Sequence, residues 1–403
     1  MRKETAVSIL ASVPLAPRDP ILGLTEQFVA DPRPGKVNLG VGVYLDSTGK
    51  VPLLDCVREA EQRLAAAPSP RSYLPIDGLA AYNSAVRTLV FGADSAVVAA
   101  GRVVTVQGLG GTGALKIGAE FLKLTGAGRR LLISDPSWEN HQALFSRAGF
   151  EVGSYRYYAP ALGGVDVDGM LADLRAAEPG TVVVLHACCH NPTGYDLDAR
   201  AWQQVAAVVA EAGLVPFLDL AYQGFATGIE ADAAVPRAFA ELGVPVLVAS
   251  SFSKSFSLYG ERVGGLSVVC ADADEAARVL SQLKVTIRTT YSNPPTHGAA
   301  VVNTVLADAG LRAGWEAELE SMRVRIRAMR LALTSELERS GVTDMGFIAD
   351  QVGMFSYCGL TAEQMQRLRA DYAVYGTDAG RICVAALNEG NVAAVAAAIA
   401  ALR

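Results

Sequence analysis

The sequence predicts an α/β protein built on a doubly wound, mainly parallel sheet, with a smaller α+β unit beside it. Three observations carry that prediction. Short apolar runs alternate with segments of helical length through the middle of the chain. The runs are continuous rather than alternating, as expected of strands covered on both faces. Glycine-rich and polar stretches follow the runs, at the carboxyl ends where ligands bind in such sheets.

The strands are expected, in chain order, at residues 103–106, 131–134, 182–186, 215–218, 246–249 and 266–270. Between them, residues 114–123 and 201–212 have helical length and composition. Repeated strand–helix–strand units imply parallel neighbours joined by crossovers. Past about residue 308 the pattern changes: Leu311, Trp315, Leu319, Met322, Ile326, Met329, Leu333 and Leu337 recur at intervals of three or four. That spacing predicts one long helix with an apolar stripe facing a core. Gly341 ends it, and a smaller α+β region follows to Arg403, closing in an Ala/Val-rich helix.

Composition narrows the function classes. The chain has 403 residues, 51% of them hydrophobic and 19% charged, which is a globular composition. Its 35 Lys+Arg against 41 Asp+Glu give a net charge of −6. A nucleic-acid surface needs a concentrated basic face, so no nucleic-acid partner is expected. The six cysteines (Cys56, Cys188, Cys189, Cys270, Cys358 and Cys383) are too sparse for a disulfide framework. Cys188-Cys189-His190 resembles a metal cluster, but adjacent residues of an extended segment point to opposite faces. Buried thiols and no metal are expected. The first ten residues carry Arg2, Lys3 and Glu4 around an apolar stretch too short for a secretory signal. No window approaches the roughly 18–20 apolar residues of a membrane span. A cytoplasmic protein without membrane contact is expected.

Three clusters carry chemistry. Gly108-Leu109-Gly110-Gly111-Thr112-Gly113 follows a strand and opens a helix. Such a turn presents backbone N–H groups to phosphate. It suits a dinucleotide, with Asp135 near the required acid position, or a single phosphate with Thr112 donating its hydroxyl. Lys116 is displaced from the position a Walker loop needs. Ser251-Phe252-Ser253-Lys254, with Arg262 eight residues on, places a lysine past a strand end among apolar and hydroxylic neighbours. Burial lowers a lysine pKa and frees the amine to attack a carbonyl, a group that a dehydrogenase does not need. Asp219 ends an apolar run, where an unpaired carboxylate is costly. It serves either as a helix cap or as the partner of a protonated ring nitrogen. Tyr222 and Asn191 are placed to hydrogen-bond a phenolate oxygen on the same ring. Phosphate loop, ring acid, phenolate partners and amine together describe pyridoxal 5′-phosphate.

Further motifs fall in one order along the chain: Val37-Asn38-Leu39-Gly40-Val41-Gly42-Val43-Tyr44, Tyr73-Leu74-Pro75-Ile76-Asp77-Gly78, and Ser134-Asp135-Pro136-Ser137-Trp138 with Asn140-His141. Then come Cys188 to Gly194, Asp219 to Phe225, Ser251 to Gly265, Tyr291-Ser292-Asn293-Pro294-Pro295 and Gly380-Arg381. From about residue 17 onwards the chain resembles the aspartate/aromatic aminotransferase family of class I pyridoxal-phosphate enzymes. The resemblance implies that Lys254 bonds the cofactor and shuttles the proton, with Asp219 on the ring nitrogen and Asn191 and Tyr222 on the phenolate oxygen. Gly111, Thr112, Ser251 and Arg262 would bind the phosphate. Trp138 would stack on the ring and support the substrate carboxylate. His141 would orient Asp219, with His190 behind it. Arg381 would grip the α-carboxylate and Gly42 would close over the substrate. Arg288 would reach the distal carboxylate, and Tyr73 the phosphate, of a neighbouring subunit's site, so a homodimer with shared active sites is implied.

Residues 253–266 look closer to the bacterial aromatic branch of the family, whose members typically also accept aspartate and glutamate. Gly376-Thr377-Asp378-Ala379 departs from the more apolar residues usual before the α-carboxylate arginine. The expected reaction is ping-pong transfer of an amino group from aromatic amino acids, and from aspartate, to 2-oxoglutarate. An aspartate aminotransferase with little aromatic activity is the alternative, and an NAD-dependent dehydrogenase a remote one. Motif placement puts a large cofactor domain at residues 49–315. The smaller domain, with an N-terminal arm, takes residues 1–48 and 316–403.

Overall fold

The computed structural model describes residues 8–16, 21–67, 69–70 and 72–403. The charged start (Arg2, Lys3, Glu4), and residues 17–20 where the family resemblance begins, lie outside them.

Seven strands form the central sheet: β1 (Val103–Leu109), β2 (Arg130–Asp135), β3 (Glu151–Arg156), β4 (Val182–His186), β5 (Val215–Leu220), β6 (Val246–Ser251) and β7 (Val263–Val269). Their order is β1-β7-β6-β5-β4-β2-β3. All neighbours are parallel except β7, which runs antiparallel to both β1 and β6. Continuous apolar runs identified the strands because both faces are covered. Along β4, Val182 and Val184 pack into one apolar cluster, while Val183 and Leu185 pack into the other.

In the central sheet the sequence missed one strand and shortened several, β1 and β7 by three residues each. β3 is an edge strand with Tyr155 its only buried residue, so no apolar run marks it. β7 begins three residues before the run at 266 because Gly264 and Gly265 carry no side chain to signal it. At Gly264 a Cβ would stand 2.5 Å from the Gly110 carbonyl carbon and 2.6 Å from the Ser250 oxygen. The strand starts where two other backbones approach too closely for any other residue.

Two helices follow strand ends directly, α1 (Gly110–Leu122) after β1 and α2 (Glu139–Arg147) after β2. Gly108, the first glycine of the phosphate motif, therefore lies inside β1, opposite Gly264. Further along, α3 (Ala273–Thr290) and the 31-residue α4 (Ala309–Arg339) follow β7. Asp308 caps α4 by accepting the Leu311 N–H at 2.9 Å. All eight residues of the predicted stripe are buried. Trp315 stacks on Phe256 at 4.5 Å and donates its indole N–H to the Ser255 carbonyl at 2.6 Å. The long helix is thereby fastened to the loop that carries Lys254. Gly341, just past the end of α4, has φ +86°, a conformation that favours glycine.

The chain ends meet. Val37–Asn38 pairs in parallel with Val374–Tyr375, and Phe355–Tyr357 pairs antiparallel with Arg381–Cys383. The Cys383 N–H also donates to the Leu39 carbonyl at 2.7 Å. These pairings bring the Gly42 segment beside Arg381. Among the described residues no helix is long and apolar enough to cross a membrane.

All six cysteines are free and buried. The expectation that Cys188 and Cys189 diverge is corrected, because Cys189 has φ +52° and breaks the extended run. The two thiols and an Asp232 oxygen lie within 4.8 Å of one another. Asp232 already accepts four backbone N–H groups, from Gly224, Ala226, Thr227 and Gly228, so its carboxylate is committed to that turn.

Candidate active site

A cavity of about 470 Å³ opens beyond the sheet, between the strand ends and the segments holding Gly42 and Arg381. Each wall follows from local structure. At the β1–α1 turn Gly110 has φ +67°, and a Cβ there would meet the Arg262 guanidinium at 2.6 Å. A Cβ on Gly111 would press on Ser251 at 3.1 Å. The bare turn lets the start of α1 face the cavity with Thr112, and helix starts favour anions. Arg262 lies beside it, its Nη1 donating to Ser253 Oγ at 3.3 Å and the Tyr259 carbonyl at 3.0 Å. Gly111, Thr112, Ser251 and Arg262 therefore converge on one anion cradle.

At the end of β5, Asp219 is buried, with Oδ2 3.1 Å from His141 Nε2. His141 Nδ1 in turn lies 2.9 Å from Ser137 Oγ. Burial alone would raise the Asp219 pKa, but the hydrogen bond and charge of His141, with help from His186 and Lys254, hold it below the usual carboxylate range. His186 stands opposite Asp219 in the β4–β5 register, its ring 5.1 Å from that of His141. Burial, reinforced by the His141 charge, lowers its pKa to about 3, so it is neutral. His190 is held by Ser134 Oγ at 2.9 Å and Thr193 Oγ1 at 2.8 Å and stacks on Tyr157. Burial keeps it neutral too. Two neutral imidazoles, His186 and His190, thus stand behind the His141–Asp219 pair.

Lys254 sits in the turn after β6, with Nζ 4.9 Å from the centroid of the buried Tyr222 ring. Its side chain is partly accessible through the cavity, yet the surrounding protein strips it of bulk water. That desolvation, opposed by Asp219 and aided by Arg262 and Arg381, lowers its pKa to about 8. On the far wall Arg381 is 2% exposed. Its Nη1 donates to Asn191 Oδ1 at 3.0 Å and Nη2 to the Gly40 carbonyl at 2.8 Å, and its guanidinium lies 4.4 Å over the Phe355 ring. A Cβ on Gly42 would come within 2.6 Å of that ring, so only glycine leaves room there. Trp138 meets His141 edge-on at 5.2 Å.

Every residue expected to touch cofactor or substrate lines this cavity except Tyr73 and Arg288, while His141 and His190 stand behind its wall. Tyr73 is 92% exposed. Arg288 is exposed near the end of α3 and donates to Ser292 Oγ. Sequence reasoning missed His186, Ser253, Tyr259 and Phe355, which also line it. His186 left a signal as a histidine ending an apolar run, and Ser253 as a hydroxyl beside Lys254. A cavity of similar size, about 490 Å³, lies along α4 around Arg323, Arg327 and Arg330 and contains none of the expected site residues.

Fold and cavity define a class of protein: a doubly wound α/β enzyme with a reactive lysine beside an anion cradle. The sequence matches the class I and II aminotransferase family model over residues 34–399, and the chain belongs to that family. It is 57% identical to an aspartate aminotransferase of Pseudomonas aeruginosa, over 98% of this chain and 99% of that one. It is 51% identical to the aromatic-amino-acid aminotransferase of Escherichia coli, over 95% and 97%. Its fold matches the crystal structure of an aromatic-amino-acid aminotransferase from Burkholderia pseudomallei covalently bound to pyridoxal phosphate, with TM-score 0.96 and 61% identity, covering 98% and 100%.

Proposed function

We propose that this protein is a pyridoxal-phosphate-dependent aminotransferase that passes the amino group of aromatic amino acids, and of aspartate, to 2-oxoglutarate. One observation carries the reading: Lys254, with its pKa lowered to about 8, shares a cavity with ionised Asp219, the anion cradle and buried Arg381. The cofactor fits this donor set. The glycine cradle, which a Cβ at Gly110 or Gly111 would crowd, receives its phosphate with Thr112, Ser251 and Arg262. Asp219 would hold a protonated ring nitrogen, and Asn191 and Tyr222 would take the phenolate oxygen. Trp138 would cover a ring face.

When bound, the cofactor acts as electron sink and carries the amino group between two half-reactions. The protein does the rest. Lys254 Nζ would hold the cofactor by its aldehyde carbon and, when free, would take and return the substrate's Cα proton. Its lowered pKa suits this general-base work near neutrality. His141 fixes the orientation of Asp219. Arg381 receives the α-carboxylate as a planar, two-pronged donor. Gly42 lets the chain approach the substrate closely.

Tyr73 and Arg288 are assigned to a second subunit's site, which accounts for their exposure away from their own cavity. Ile9, Leu10, Val13 and Leu15 are also exposed, at 66–99%, as an arm that packs on a partner requires. These exposures support the reading of a homodimer with shared sites, which we place in the cytoplasm. The pairing of Val37–Asn38 with Val374–Tyr375 supports a small domain drawn from both chain ends. A narrower reading, an aspartate aminotransferase with little aromatic activity, draws support from the name of the Pseudomonas relative.

The test is kcat/KM for phenylalanine and aspartate with 2-oxoglutarate, in the wild type and in Arg288→Leu. The wild type turns over both, and the variant loses at least about tenfold more on aspartate, because a charge-paired hydrogen bond is lost only there. No turnover of phenylalanine would leave the narrower reading. Equal losses would remove Arg288 from distal-carboxylate recognition.

A further inference from the structure

Glu139 is the first residue of α2, and an acid in a first turn is ordinarily explained by the helix dipole. The dipole does not account for its two oxygens. Oε1 lies 3.5 Å from Arg381 Nη1, while Oε2 is buried without a hydrogen-bond partner among the described residues. The hydrogen bonds of the Arg381 guanidinium go elsewhere, to Asn191 and Gly40, and its Nε is buried and unpartnered. Glu139 is therefore a charge beside Arg381 rather than a clamp upon it. It is also about one-third exposed, so nothing locks it in place.

We infer that Glu139 is an affinity-setting residue for the substrate carboxylate, a built-in competitor for the charge of Arg381. The inference rests on the reading of Arg381 as the α-carboxylate site. In the empty site a buried guanidinium without a counter-charge is costly, and Glu139 supplies one. When an amino or 2-oxo acid arrives, its carboxylate meets Arg381 already partly neutralised and a like charge close by. Ground-state binding is weakened for every carboxylate that enters. A ping-pong enzyme has use for this, since each half-reaction must release a carboxylate product before the next substrate binds. Glutamine in this place would keep the shape and remove the competing charge.

The experiment measures ligand binding to the holoenzyme by titration calorimetry, with 3-phenylpropanoate and its uncharged amide, 3-phenylpropanamide, as probes. Glu139→Gln is expected to tighten 3-phenylpropanoate about five- to tenfold, as removal of a nearby like charge implies, and to leave the amide unchanged. Unchanged or weaker carboxylate binding, or equal tightening of both probes, would overturn the inference, because a structural support for Arg381 would lose affinity when weakened. Arg381→Lys, checked for folding by its melting temperature, separates this failure from failure of the underlying reading. If that variant binds 3-phenylpropanoate as tightly as wild type, Arg381 is not the carboxylate site and both ideas fall. If it binds more weakly while Glu139→Gln shows no gain, only the role of Glu139 is lost.

Discussion

Lys254 owes its chemistry to its surroundings. An ordinary lysine, with pKa near 10.4, has only about one amine in 2,500 free at pH 7. Burial lowers the value here to about 8, which frees roughly a tenth. The sign is fixed by the charge: the protonated form dominates below this pKa, so reactivity rises with pH through about 8. Mixing apoenzyme with pyridoxal phosphate and following the visible band should give a rate with its midpoint near 8, with Lys254→Ala as blank. A midpoint near 10.4 would contradict the desolvated site. Lys254, Asp219 and Arg262 were legible because charged groups beside apolar runs are expensive unless paired. Glu139 looked like an ordinary helix start, and its contact with Arg381 joins residues 242 positions apart (381 − 139) that no local pattern links. Tyr73 and Arg288 came only from family resemblance.

At the scale of elements, the site depends on how closely β7 approaches the β1–α1 turn. Gly264 makes that approach possible, with Gly110 and Ser250 backbone atoms within 2.7 Å of a would-be Cβ. Gly264→Ala must push one of these segments away. Overpacking of this kind costs about 1–3 kcal/mol, and here the strain falls on the β1–α1 turn proposed to take the phosphate. Urea unfolding should show that loss together with weaker cofactor binding, and an unchanged midpoint with unchanged affinity would contradict the packing argument. Periodicity revealed α4 fully because its stripe repeats for eight residues. β3 and the start of β7 stayed hidden, since an exposed edge and a pair of glycines carry no apolar signal.

On the scale of the molecule, the net charge of −6 says little about the site, whose lining includes Arg262 and Arg381. The sheet gathers Thr112, Asp219 and Lys254 at its strand ends, and the paired chain ends deliver Gly42 and Arg381 to the opposite wall. That arrangement is the central claim: one cavity that holds an amino-group carrier and two carboxylic substrates in turn. The direct measurement mixes holoenzyme with phenylalanine in the absence of any 2-oxo acid. A single equivalent of phenylpyruvate per chain, and none from Lys254→Ala, is the predicted result. Formation that waits for 2-oxoglutarate, or that runs on beyond one equivalent without it, would contradict the account.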